Sequence, residues 1–198
     1  MAMDLEKEYK KEKLTIDIKA ANTKGLLILL FVFLAFGLPY FLMWREQFEW
    51  TTIKSVLKSM EWWTPLLNVL LAYVVMALGV VLHEFIHALS FVGFTQGGWK
   101  SIKFGILKET FTPYCHCKEP LKVKHYIFGA LTPAVVLGII PVIAAMAIGN
   151  VWMLLFGMFF TAAAGGDFMI VDLIRKEKKD DYVQDHPSEA GCFIFRKL

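Results

Sequence analysis

Charged residues are missing from three long stretches of the chain. Residues 26–44, LLILLFVFLAFGLPYFLMW, and residues 62–82, WWTPLLNVLLAYVVMALGVVL, are apolar with no polar face, and from Tyr126 to Gly166 there are 41 residues without an Asp, Glu, Lys or Arg. A helix rises about 1.5 Å per residue, so roughly 20 residues cross the hydrocarbon of a bilayer. The first two stretches supply one span each, and the third is long enough for two with Gly149-Asn150 as the turn between them. The pattern predicts an all-α integral membrane protein with four transmembrane helices over about 26–44, 64–94, 126–148 and 151–174. A segment 1–25 precedes this membrane domain (26–175) and a tail 176–198 follows it. Buried helices with no polar face would be the soluble alternative, but a chain of 198 residues that is 57% hydrophobic has too little polar material to cover them. The first apolar run begins 25 residues in and lacks a small-residue cleavage site after it, so it is expected to stay as a helix.

The distribution of charge sets the expected orientation. Lysine and arginine concentrate on cytoplasmic flanks. Lys7, Lys10, Lys11, Lys13, Lys19 and Lys24 precede the first span; Lys100, Lys103, Lys108, Lys118, Lys122 and Lys124 follow the second; Arg175, Lys176, Lys178, Lys179, Arg196 and Lys197 follow the last. In the 45–61 connection Arg45, Lys54 and Lys58 are balanced by Glu46, Glu49 and Glu61. Both termini and the 95–125 connection are therefore expected in the cytoplasm, and Trp44, Trp50, Trp62 and Trp63 at the opposite interface. The partner this implies is a lipid bilayer, with no nucleic acid. Cys115, Cys117 and Cys192 fall on the expected reducing side and are odd in number, which argues against a disulfide framework.

Between the spans, Ile53, Val56, Leu57 and Met60 recur at helical spacing and predict a short helix on the outer face. Residues 99–111, WKSIKFGILKETF, partly alternate, and with Pro113 and Pro120 the 99–125 region reads as strand and loop on the cytoplasmic side between helices 2 and 3. The charged tail 176–188 is expected to be exposed, and GCFIFRKL (191–198) to form a short strand docked back on the protein. Pro133 and Pro141 are expected to kink the third helix, leaving carbonyls free to line a cavity or serving packing alone.

Candidate chemistry sits in VVLHEFIHALSF, residues 80–91. His83 and His87 are four apart and share one helix face. Two imidazoles so placed can ligate one Zn²⁺ at about 2.0–2.1 Å. Glu84 projects beside them, where a carboxylate can act as general base on a water that zinc acidifies toward a pKa of about 7. Ionisable groups at membrane depth are costly and usually functional. The bland reading is two histidines bonded to neighbouring helices and a glutamate paired with a cation.

A catalytic zinc site needs a third protein ligand and keeps its fourth position open. Asp167 follows the small-residue run TAAAGG and lies eight residues, about 12 Å, before Arg175; His87 lies eight residues before Thr95, where the second span gives way to polar chain. These depths match, and Ala162 to Gly166 would let the last helix approach the second. Asp167 is the first candidate; Asp172, nearer to water, is the second.

The order HEFIH, then PY at 113–114, TP at 132–133, GGD at 165–167 and DHPSEAG at 185–191 resembles a family of small four-helix membrane proteins known as putative zincin peptidases, and more distantly the site-2 protease class of intramembrane zinc metalloproteases. The resemblance covers most of residues 75–195 and implies that His83, His87 and Asp167 bind one zinc ion while Glu84 is catalytic. The chain departs from the site-2 proteases in two places. Gly165-Gly166-Asp167-Phe168 stands where they carry Asp-Gly within an Asn-Pro motif, and LTPAVVLG has no Asn where they often have one after Gly-Pro.

The function expected is hydrolysis of peptide bonds in membrane-embedded or membrane-adjacent proteins. Such a site must open to the cytoplasm through a polar cavity, because the bilayer core holds no water. A helical substrate must also unwind, and the 99–111 stretch is the candidate strand edge for holding it extended. CHC at 115–117 is too crowded to hold one ion and reads as free thiols with a loop histidine; His125 and His186 read as solvated. Two other classes keep the zinc without the peptidase: a metal transporter or sensor, which would need several sites along a path, and a membrane scaffold, which would not need Glu84.

Overall fold

The protein is described here by a computed structural model of residues 8–107, 112–186 and 189–198. Lys7 and Lys108 of the basic segments, residues 108–111 of the alternating stretch, and Pro187 and Ser188 of the DHPSEAG segment lie outside the described residues.

After strand β1 (Tyr9–Thr15), helix α1 (Ile18–Val32) starts where the Asp17 carboxylate accepts the Ala20 N–H at 2.8 Å. It runs through a π-helical turn at Phe33–Gly37 into α2 (Leu38–Met43). The predicted outer helix is α3 (Trp50–Ser59), and α4 (Thr64–Val92) carries the histidines. The 99–125 region contains the hairpin β2 (Ile102–Leu107) and β3 (Thr112–Cys117), then β4 (Leu121–Lys122). The third apolar helix is α5 (Val123–Pro133), a π-helical turn at Ala134–Ile139, and α6 (Ile140–Ile148). Gly149 ends it in the left-handed region at φ 69°, and Asn150 caps α7 (Val151–Ala163), so the predicted turn is present. A bend of 41° at Ala164 separates α7 from α8 (Gly165–Ile174), where one straight helix was expected over 151–174. Two consecutive glycines at the break favour interruption there.

Three helical stretches, Ala20–Met43, Thr64–Val92 and Val123–Ile148, are long and apolar enough to cross a membrane, or four if the bent α7–α8 pair is one span. Their outward faces are apolar and exposed, as at Leu66, Val69, Tyr73 and Val81 of α4. Packed against water this surface would be unfavourable by the usual transfer cost; against acyl chains it is neutral.

The protein is not all-α. Strands β5 (Tyr182–Asp185) and β6 (Gly191–Lys197) join β1 and β4 in a four-stranded antiparallel sheet of order β1-β6-β5-β4. The 176–188 segment expected to be exposed is partly buried, with Val183 wholly inside and Asp181 nearly so, and the docked strand expected at 191–198 is β6, with Ile194 wholly inside. The register sets Leu14 against Cys192, Val183 against Ile194 and Leu121 against Val183. These residues make one apolar face, packed on Phe91, Val123, Tyr126, Ala130 and Ile174. Arg196 ties the sheet together by ion pairs to Glu177 and Glu12.

Two glycines outside the expected Ala162–Gly166 run also let helices meet. A Cβ at Gly138 would lie 2.4 Å from Thr161 Oγ1 and one at Gly79 2.4 Å from the Phe160 ring, so α7 is seated on α4 and the third helix through these positions. Gly165 instead faces Ile28 of α1. Truncating the central sheet core, Ile194→Ala, is expected to destabilise the protein by about 2–5 kcal/mol. The check is thermal unfolding in detergent; a midpoint equal to wild type would mean that the sheet is not docked.

Candidate metal centre

One turn of α4 places the rings of His83 and His87 at 4.9 Å, inclined at 78°, and both are buried. The bend at Ala164 turns α8 so that Asp167, in its first turn, meets them. His83 Nε2 is 3.2 Å from Asp167 Oδ2 and His87 Nε2 is 3.3 Å from Asp167 Oδ1. One donor atom from each of the three residues can be chosen so that all lie within 4.8 Å of one another, and among the described residues no other group does this. The edge of a tetrahedron of ligands at zinc distances is about 3.3–3.4 Å. The spacing therefore fits a small divalent ion, and two neutral imidazoles with one carboxylate are a donor set that zinc accepts.

The ring nitrogens turned away from Asp167 differ. His87 Nδ1 is 3.0 Å from the Gly129 carbonyl of α5, which can only accept, so Nδ1 carries a proton and Nε2 is the nitrogen that faces Asp167. His83 Nδ1 is buried and has no hydrogen-bond partner among the described residues.

Glu84 is half-buried and lines a cavity of about 260 Å³ with His87, Asp167, Tyr114, Cys115 and Tyr126. The Cys115 backbone N–H donates to its carboxylate. Glu84 is thus held beside the two histidines by the edge of β3. Sequence reading offered 99–111 as the strand edge near the site; the strand that lines the cavity is β3, with Pro113, Tyr114 and Cys115. Alternation alone could not show which strand of the hairpin lay inward.

Of the two aspartates considered, the structure brings Asp167 to the histidines and turns Asp172 away. Asp172 pairs with Lys24 Nζ at 2.6 Å and Arg175 Nε at 2.7 Å, on the opposite side of α8. It borders a separate apolar groove of about 430 Å³ against α1, where Leu27, Phe31 and Phe168 lie.

Asp185 was not foreseen as part of this site. It enters the cavity from β5, accepts the Tyr126 hydroxyl and the Cys117 N–H (2.9 Å), and lies 3.7 Å from His116 Nδ1. Burial pushes its carboxyl up, while these donors pull the other way. Its only signal in the sequence was its place at the head of DHPSEAG. His186, expected to be solvated, packs on Phe193 at 4.8 Å and accepts the Glu189 N–H, while His125 is partly exposed and stacks on Phe94 at 4.1 Å. The CHC residues are spread along β3, with Cys115 at the cavity, His116 beside Asp185 and Cys117 in the core.

Apolar helices of membrane-spanning length, interrupted where a buried two-histidine, one-carboxylate cluster meets a glutamate, define a helical protein built around a candidate metal site. The chain belongs to the family described as putative zincin peptidase, whose sequence model matches residues 76–182, more than half of the chain. That match contains His83, Glu84, His87, Asp167 and the hairpin, and stops short of Asp185. No curated protein and no solved structure shows a match.

The thiols offer a test of the packing around the cavity. Burial, then the nearby Glu84 and Asp185 charges, pushes the Cys115 thiol up; burial pushes Cys117 and Cys192 to about 12. Thiolates are then scarce at neutral pH. In the folded protein Cys117 and Cys192 are expected to react with N-ethylmaleimide at least about a hundredfold more slowly than after denaturation, read by mass spectrometry. Equal rates would mean that the sheet does not cover them.

Proposed function

We propose that the chain is a zinc-dependent endopeptidase of the membrane, cleaving membrane-embedded or membrane-adjacent proteins. In this reading His83, His87 and Asp167 hold one zinc ion and Glu84 is the catalytic base. The observation that carries it is the approach of both Nε2 atoms to the two oxygens of Asp167, at 3.2 and 3.3 Å. Membership of the zincin peptidase family supports the choice of metal and reaction class.

The pairing of β1 with β6 supports four spans. It puts the start and end of the chain on one side, which needs an even number of crossings. Three come from Ala20–Met43, Thr64–Val92 and Val123–Ile148, so the bent α7–α8 pair is the fourth. The lysines of β1 make that side the cytoplasm, and the hairpin, the sheet and the mouth of the cavity share it. A site near one leaflet and reached by water from the cytoplasm relates this chain to the site-2 proteases in plan, without their Asn-Pro setting for the third ligand.

When bound, zinc supplies Lewis acidity, which polarises a carbonyl and acidifies water toward a pKa of about 7. Glu84, positioned by the Cys115 N–H, takes a proton from the attacking water as its oxygen bonds to the peptide carbon. The same carboxyl then delivers that proton to the amide nitrogen as the carbon–nitrogen bond breaks. Tyr114, Tyr126 and Ile170 form walls of the cavity in which these groups meet. The alternatives, a metal transporter or sensor and a zinc-holding scaffold, lack support from the described residues: there is one ligand cluster and not a path of them, and Glu84 stands beside it without being needed as a ligand.

Purified wild type is expected to hold one zinc per chain by elemental mass spectrometry, and His83→Ala and Asp167→Asn to lose it. Glu84→Gln should retain zinc and lose cleavage by about 10²–10⁴-fold, with uncut membrane proteins accumulating in cells that carry it. Equal cleavage by Glu84→Gln would overturn the assignment of the base; zinc retained in both ligand variants would overturn the site.

A further inference from the structure

A histidine that offers Nε2 to a metal must keep its proton on Nδ1, and an acceptor placed there fixes the ring. Carbonyls in the middle of a regular helix are poor candidates, because each already accepts the N–H four residues on. The Gly129 carbonyl that meets His87 Nδ1 is an exception for a local reason. Four residues after Gly129 stands Pro133, which has no N–H. The next amide, Ala134, donates to Leu131 and leaves Gly129 alone. The carbonyl is therefore without a helical donor at the one turn of α5 that faces His87, 3.0 Å away.

Two neighbours make that approach possible. A Cβ on Gly129 would lie 2.2 Å from the Phe91 ring, so only a bare backbone can sit this close to α4. Phe91 in turn stacks on the His87 ring at 6.0 Å with an interplanar angle of 8°, which limits how the imidazole can rotate. His83 has no such acceptor among the described residues and rests against Phe160 at 6.4 Å. The backbone device serves one histidine of the pair.

We propose that Pro133 is a positioning residue for His87: by withholding the helix donor from the Gly129 carbonyl, it reserves that oxygen for Nδ1–H and so turns Nε2 toward Asp167. Its consequence for zinc rests on the proposed function; the Nδ1–H bond itself does not. An alanine at 133 supplies an N–H that competes for the same oxygen while favouring the helix, so Pro133→Ala should fold. Pro141→Ala is the control: it removes the other proline of the third helix, whose missing donor faces Leu137 and not Gly129.

The experiment uses the full chain in detergent, labelled with ¹⁵N-histidine and freed of metal. In wild type a proton is expected on His87 Nδ1, slow to exchange through its bond to Gly129; Pro133→Ala should speed that exchange and shift the Nδ1–H resonance, and Pro141→Ala should leave both unchanged. Zinc titration of the same samples should show affinity falling about 10–100-fold in Pro133→Ala alone. A wild-type His87 without a proton on Nδ1 overturns the proposal without any variant, and so does a Pro133→Ala protein with wild-type Nδ1–H exchange and affinity. A loosened Nδ1–H bond in protein that binds no zinc sinks the peptidase reading and leaves the positioning role standing. Zinc bound equally by wild type and Pro133→Ala, with the bond unchanged, does the reverse.

Discussion

Two imidazoles buried among apolar helices need a polar group that meets them. Asp167 does this with both of its oxygens, one to each histidine, and that mutual arrangement governs much of the surrounding architecture. Asp167 can reach α4 only because the last helix breaks at Ala164 and swings its first turn inward. Glu84 is kept beside the pair only because the edge of β3 supplies an N–H for it. Each polar group at the site is met by an irregularity elsewhere: a bend, a strand edge or a proline.

These irregularities cluster in the half of the molecule that holds the sheet. The third helix passes from α-helical to π-helical at Ala134, just after the Gly129 carbonyl has been given to His87. Toward the opposite end the helices are joined by ordinary capping and packing, with Trp44 Nε1 on the Met146 carbonyl and Gln47 on that of Gly149.

The terminal sheet links this chemistry to both ends of the chain. Asp185 leaves the sheet to take the Tyr126 hydroxyl and the Cys117 N–H inside the cavity, so the third helix, the hairpin and the C-terminal strands meet at one carboxylate. β1 adds the N-terminal segment to the same unit through its pairing with β6. The cavity thus has walls from distant parts of the sequence, and the sheet is part of the site's frame and not a peripheral tail.

What could be read along the chain was whatever is local in sequence. Apolar runs announce helices long and apolar enough to cross a membrane, because length and composition decide that without any knowledge of neighbours. The His83–Glu84–His87 spacing places two ligands and a carboxylate together, because one helical turn does so unaided. Gly149-Asn150 signals a turn for the same reason. The pairing of residues 9–15 with 191–197 was invisible, since strand partners far apart carry no mutual mark and charged positions hid the buried face of Leu14, Val183 and Ile194. The preference for Asp167 over Asp172 could be argued from depth, but only the direction of α8 separates them, one facing the histidines and the other Lys24. Helix periodicity assigns a residue to a face; which neighbour that face meets is decided by packing between elements, and that information exists only once the chain is folded.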